Sequence, residues 1–303
     1  MSEQAPSVAE VMTQFTPDIW WIAFIAGASA WYITAWRRSQ RTPTASHHPR
    51  WKLVSFHLGL FVLALAVMSP IEYYGNRLLW ANFLCFLLLT MIAPPLILLG
   101  SPLTLAFRVA GPGTCRALRG IYRHPVIKFV TFPVASGLIF AAATYVWQFS
   151  SLTDWAAEHT WVRELQLSTL LLVAFIFWLP ALATDPLRWR VPYPFRILYV
   201  LVEMTHKGLF GGMFLSMNSP FHDYFVAHAP AWGPSPMMDQ RIGILILWIG
   251  GNIIFVFTLI GLVVRWMDYE RRNDHRVDIR LAAAREAEAR RAAALEQVFR
   301  KPV

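Results

Sequence analysis

The stretch Val202–His222, VEMTHKGLFGGMFLSMNSPFH, places Glu203, His206 and Lys207 inside a run otherwise composed for lipid. Ionisable side chains in a membrane span cost about 2.5–3.5 kcal/mol each on insertion scales, so they are functional candidates by default. Glu203 and Lys207 stand four apart, one helical turn, and can meet as an intramembrane ion pair. Such a pair either neutralises itself and fixes helix packing or marks a proton or ion pathway. At about 100° per residue His206, Met213 and Met217 share one stripe, with Glu203 about 60° to one side. A rise of about 1.5 Å per residue sets His206 about 10 Å from Met213, so those two cannot hold one ion, whereas Met213 and Met217 can approach a common centre. The polar segment that follows adds His222, His228, Met237, Met238 and Asp239. Imidazole and thioether suit cuprous copper. The plainer reading of the same residues is packing for the methionines and solvation for the histidines. His57, in an earlier apolar run, lies about 7 Å from the basic end of its span and His206 about 16 Å from its own, which disfavours a shared bis-histidine haem. His47, His48 and His124 fall in basic segments and read as solvated.

These residues need elements to hold them, and the elements are apolar. The 303 residues are 56% hydrophobic and 15% charged, with 14 Trp and 21 Phe, the composition of an all-α, polytopic membrane protein. Seven segments approach the roughly 20 residues that a span requires: Ile19–Trp36, Leu53–Ser69, Leu78–Gly100, Pro125–Phe149, Trp161–Ala183, Phe195–Met217 and Ile242–Met267. Arginine and lysine crowd the connections after the first, third and fifth spans (Arg37, Arg38, Arg41, Arg50, Lys52; Arg108, Arg116, Arg119, Arg123; Arg188, Arg190, Arg196) and nearly vanish from the others. The bias predicts N-terminus out and C-terminus in, in a bacterial plasma membrane. The expected organisation is an extracytoplasmic arm (1–18), a seven-helix membrane domain (19–267) and a charged cytoplasmic helix (268–303), rich in Ala, Arg and Glu with acid–base pairs three or four apart.

Several classes drop out. The net charge of +9 reflects topology, so no nucleic-acid partner is implied and membrane lipid is the partner expected. Cys85 and Cys115 have neither zinc-type nor C-x-x-C spacing. The N-terminal arm lacks a basic n-region, so no cleaved signal peptide is expected. With no phosphate loop, G-x-G-x-x-G or Ser-His-Asp pattern, an enzyme acting on a soluble substrate is disfavoured.

The third span and its exit, LWANFLCFLLLTMIAPPLILLGSPL, follow LGLFVLALAVMSPIEYYGNR and precede LSTLLLVAFIFWLPAL and WGPSPMMDQRIGILILWIGG. In that order, over about Leu53 to Gly251, these segments resemble the CtaG family of cytochrome c oxidase assembly factors. The matching points are L-L-L-x-M-x-A-P-P, Phe177-Trp178-x-Pro180, and Asp239-Gln240 ahead of Trp248 and Gly250. Pro94 and Pro95 should bend the third helix, and the glycine pairs Gly208/Gly212 and Gly250/Gly251 should admit close helix neighbours. The resemblance implies a non-enzymatic integral protein that matures a haem–copper oxidase through copper insertion or by stabilising an intermediate, with oxidase subunits or a copper carrier as partners and copper as the candidate metal. It also implies histidine pairs at the start of spans three and five, and here the sequence departs: Asn82 and Phe86, then Arg163 and Leu167, stand in those places. Metal chemistry would then move to His206, Met213, Met217 and the His222–Asp239 segment. The alternative reading is an ion or proton pathway, or an accessory respiratory subunit, built on Glu203 and Lys207.

Overall fold

A computed structural model describes residues 6–41, 48–185, 189 and 191–299. His47, Arg188 and Arg190 of the basic connections, and the chain's last four residues, lie outside the described residues. All regular structure among those described is helical: α1 (Val8–Thr13), α2 (Ile19–Gln40), α3 (Arg50–Met68), α4 (Pro70–Gly75), α5 (Leu79–Leu87), a π-helical turn (Leu88–Ile92), α6 (Ala93–Leu99), α7 (Pro102–Val109), α8 (Pro112–Arg123), α9 (Pro125–Val130), α10 (Pro133–Gln148), α11 (Leu152–Glu158), α12 (Thr160–Leu182), α13 (Tyr193–Leu215), α14 (Asp223–Ala227) and α15 (Pro236–Phe299). The chain divides into two compact units, residues 1–257 and 258–303. In the second, Arg272 pairs with Asp268 at 2.7 Å and Arg290 with Glu286 at 3.8 Å, exposed contacts one helical turn apart.

Among the described residues five helical stretches are long and apolar enough to cross a membrane: Ile19–Gln40, Arg50–Met68, Leu79–Val109, Thr160–Leu182 and Pro236–Asp274. The two other expected spans correspond to α10, of 16 residues, and to α13, whose middle turns carry Glu203, His206 and Lys207. The third span is the core. Ala81, Phe83, Leu89, Met91 and Ala93 are fully buried, and their helix is apolar on every side because protein surrounds it on every side. By contrast α2 and α3 present Trp20, Phe24, Val54 and Phe61 outward, the ordinary face of a helix in lipid.

Prolines explain the π-helical interruption of this central element. Pro94 has no N–H to return to the Thr90 carbonyl, so the α-helical ladder fails one turn earlier and widens into the π-helical turn. The freed carbonyl does not go unsatisfied: the Trp178 indole, fully buried on α12, donates to it at 2.9 Å. Two of the family-like motifs are thus halves of one contact, A-P-P creating an acceptor and Phe177-Trp178 supplying the donor.

Glycines of α15 let the seventh span lie against α5. A Cβ at Gly243 would come 2.5 Å from Phe83 Cδ2 and 2.9 Å from the Trp80 Cα, and one at Gly250 would come 2.7 Å from Leu87 Cδ2. On α13 the close approach falls at Gly211, 3.1 Å from Trp248, while a Cβ at Gly212 would meet nothing within 4 Å. The spacing argument for Gly208 and Gly212 is corrected accordingly, since Gly212 turns away from the neighbouring helix. Gly243→Ala is expected to cost about 1–3 kcal/mol, because backbone blocks relief, whereas Gly212→Ala should be neutral or slightly stabilising. Thermal unfolding of the two variants checks this.

Candidate functional site

Two buried polar clusters flank the central span. At the end carrying α4 and α11, Arg163 on α12 grips Glu72 on α4 through both carboxylate oxygens, Nε to Oε1 at 2.8 Å and Nη2 to Oε2 at 2.6 Å. Both residues are only 5% exposed. The remaining guanidinium nitrogen, Nη1, donates to Gln166 Oε1 at 2.7 Å, and Thr153 passes its hydroxyl proton to the Trp147 carbonyl at 2.6 Å while lying 3.4 Å from Gln166 Nε2. Asn82 Nδ2 donates to the Gly75 carbonyl at 3.1 Å. A Cβ added to Gly75 would sit 3.5 Å from both the Asn82 Cα and Cys85 Sγ and 3.6 Å from Arg163 Nη2. Gly75 is therefore the point where the starts of spans three and five converge.

That convergence tests the metal site implied by the resemblance. Asn82 and Arg163 both approach Gly75, but the residues at the four implied positions do not fit copper. Phe86 and Leu167 have no donor atom, Asn82 spends its amide on backbone, and the Arg163 guanidinium puts a positive charge where a cation would have to sit. Sequence reasoning missed Glu72 because SPIEYYGNR reads as a connecting loop, and its partner lies 91 residues away.

The second cluster is on α13. Glu203 and Lys207 are both buried, at 5% and 4% exposure, yet the carboxylate's hydrogen-bond partner is the His206 ring: Oε1 lies 3.0 Å from Nδ1. The Lys207 ammonium instead faces the rings of Phe86 and Phe140, 5.6 Å from each centroid. Glu203 and Lys207 form no ion pair within 4 Å among the described residues, although the Glu203 charge still acts on Lys207, and the two aromatic faces add cation–π stabilisation. A cavity of about 10 Å³, room for one water, lies among Thr144, His206, Lys207 and Trp248. Thr144 Oγ1 and His206 Nε2 are buried there without a hydrogen-bond partner among the described residues. On its other side the Glu203–His206 pair borders an apolar groove of about 570 Å³ between α10 and α13.

The remaining candidates disperse. Met213 and Met238 are exposed, at 48% and 51%, and Met217 and Met237 are half-buried. His228 stacks on Tyr224 at 4.2 Å and its Nδ1 engages the Tyr224 carbonyl at 2.9 Å. His222 is buried among Phe214, Phe221 and Phe225, with Nδ1 3.4 Å from Asp154 Oδ1. Asp239 accepts the backbone N–H groups of Leu79 and Trp80 at 2.8 and 2.9 Å, capping the first turn of α5. Among the described residues no three His, Cys, Asp or Glu side chains converge as a metal cluster. His57 is committed at both nitrogens, to the Leu53 carbonyl at 2.8 Å and Ser29 Oγ at 3.1 Å.

His48 needs a correction of its own. Expected in solvent, it is 1% exposed, and its Nε2 lies 3.0 Å from both the Tyr32 hydroxyl and the Gly100 carbonyl. His48 is held against the end of α2 because Trp36 and Gln40 donate to its carbonyl at 3.1 and 2.7 Å. Burial, then the charges of Lys52 and Arg108, hold its imidazole below the ordinary value of 6.5, against the raising influence of Gly100. A lowered value favours the neutral ring in the folded protein. Its contribution is complete above about pH 6.5 and is lost as pH falls through the folded value. The melting temperature is expected to fall as pH is taken below about 6.5, and to fall less in His48→Gln.

Comparison with known proteins agrees with this frame. The chain is 27% identical over 290 residues to uncharacterized protein ML1998 of Mycobacterium leprae, covering 91% of this chain and 43% of that protein. It is 26% identical over 287 residues to uncharacterized protein Mb0105 of Mycobacterium bovis and, at the same identity, to uncharacterized protein MT0111 of Mycobacterium tuberculosis, covering 91% of this chain and 42% of each. The chain thus spans less than half the length of these curated relatives. No solved structure matches it. The family model described as cytochrome c oxidase caa3 assembly factor (Caa3_CtaG) matches residues 30–269, well over half of the chain, and takes in the Gly75 junction, the α13 cluster and the Asp239 cap. The chain belongs to the Caa3_CtaG family of cytochrome c oxidase assembly factors.

Proposed function

We propose that this chain crosses the bacterial plasma membrane seven times, N-terminus out and C-terminus in, and supports maturation of a haem–copper oxidase by stabilising an assembly intermediate. Copper insertion, on this reading, falls to a separate copper carrier or to the oxidase subunits themselves. The observation that carries the reading is the Glu72–Arg163 ion pair at the Gly75 junction, where the family resemblance asks for metal ligands. A buried bidentate pair holds α4 to α12 without any metal. The alternation of Arg- and Lys-rich connections supports the orientation.

The test uses cells and protein together. Membranes from cells lacking the chain should lose haem–copper oxidase activity, and the purified full chain should carry no stoichiometric copper. Undiminished oxidase in the deletion would remove the assembly role; copper at one equivalent would remove the scaffold role but leave assembly standing.

One observation favours the second reading, an ion or proton pathway. The His206 ring joins Glu203, beside the lipid-facing groove, to the water-sized cavity beside Lys207. Proton uptake by proteoliposomes, reduced in His206→Phe and unrelated to oxidase level, would support it.

A further inference from the structure

Where α2 ends and α3 begins, a pocket of about 550 Å³ is lined by Trp36, Arg37, Gln40, Arg41, His48 and Arg50. Three features mark it as built for an anion. Arg37, Arg41 and Arg50 are exposed and none forms an ion pair among the described residues. Arg50 opens a 19-residue helix that has no side-chain cap. A cation in a first helical turn opposes the helix dipole, and a bound anion would remove that conflict while meeting the free N–H groups. The wall is rigid, since His48 is anchored through its carbonyl by Trp36 and Gln40 and through its ring by Tyr32 and Gly100.

His48 adds selectivity. It is 1% exposed, lines the pocket, and its Nδ1 has no hydrogen-bond partner among the described residues. The Tyr32 hydroxyl gives its proton to the Gly100 carbonyl at 2.8 Å, so Nε2 serves as the ring's donor toward those two oxygens. In the neutral ring Nδ1 is then a bare acceptor. It cannot donate to a phosphate oxygen, but it can receive a hydroxyl proton. The pocket therefore asks for one ligand with two chemistries, a phosphate for the arginines and a hydroxyl donor for Nδ1.

The setting selects a lipid as the source. Trp36 and Trp51 lie at this level, the position of an interfacial aromatic belt. Below it, Trp51, Val54, Leu58 and Phe61 form one outward stripe of α3, at 47–64% exposure, against which acyl chains can lie. We propose that this pocket binds an anionic phospholipid with a glycerol headgroup, its phosphate on Arg37, Arg41 and Arg50 and a headgroup hydroxyl on His48 Nδ1. Such a lipid would tie the first two spans together at the Arg-rich face of the membrane.

The test is lipid retention by the purified full chain, read by native mass spectrometry and by thermal unfolding. Dioleoylphosphatidylglycerol should be retained about tenfold over phosphatidylcholine and severalfold over phosphatidic acid, which has the phosphate without the glycerol. Inorganic phosphate at the same concentration should not displace it. Arg37→Gln, Arg41→Gln and Arg50→Gln together, all at exposed positions, should remove the preference for the anionic lipids. Replacing His48 with Phe should leave phosphatidic acid bound and erase the advantage of phosphatidylglycerol. Equal retention of phosphatidylglycerol and phosphatidic acid by the unmodified chain would overturn the glycerol assignment without relying on any variant. Displacement by inorganic phosphate would overturn the lipid assignment, as would equal retention of phosphatidylcholine.

Discussion

Arg163→Met is expected to destabilise the protein by about 3–5 kcal/mol, because it strands a carboxylate that the fold has taken out of water. Glu72 gives both oxygens to this guanidinium, at 2.8 and 2.6 Å, and is 5% exposed. Gln166 Oε1 would lose its donor in the same step. Nothing else among the described residues can replace the two charge-assisted hydrogen bonds that Glu72 loses. The companion variant Glu72→Met/Arg163→Met removes both charges and should recover most of the loss, since a well-packed apolar pair often equals a buried ion pair. Melting temperatures of the two single variants and the double variant, read as a cycle, give the coupling directly. Oxidase maturation separates the functional readings: a scaffold should fail in Arg163→Met and return in the double variant. Were the guanidinium itself required by a partner, the double variant would regain stability without regaining maturation.

How much of this was legible in the sequence follows the range of each interaction. Spans with a local apolar signal, such as Ile19–Gln40 and Thr160–Leu182, could be read from composition. That the α-helix would be interrupted near Pro94 and Pro95 was also legible, because proline removes a donor wherever it stands. Its partner Trp178 was not, since nothing local in α12 says which carbonyl the indole will find. The same limit hid Glu72–Arg163, where each residue looks like an ordinary span-end charge until the two elements meet. Spacing four apart suggested Glu203–Lys207, but the i,i+3 contact to His206 and the rings of Phe86 and Phe140 from other helices were the stronger local choices. Candidate metal ligands were grouped by residue type along the chain. Tertiary packing distributed them among a cap, aromatic stacks and exposed surface.

Asp239→Ala should cost about 2–5 kcal/mol, the second large effect, by leaving two backbone donors of the central span without acceptors. Leu79 N and Trp80 N reach the carboxylate at 2.8 and 2.9 Å, and Asp239 is 4% exposed, so water cannot readily take its place. Because the contact crosses from the seventh span to the entry of the third, the loss should free both helices rather than fray one. Asp239→Asn retains one acceptor oxygen and should lose about half as much. Met238→Ala, one residue away and 51% exposed, should stay within about 0.5 kcal/mol. This pattern distinguishes a helix cap from a copper ligand: a cap predicts graded melting temperatures and unchanged metal content across the three variants. A ligand predicts lower copper in Asp239→Asn and Met238→Ala at nearly unchanged stability. The paired oxygens on consecutive amides favour the cap, and with it an Asp239-Gln240 motif whose role is to set the third span in place beneath the Glu72–Arg163 clasp.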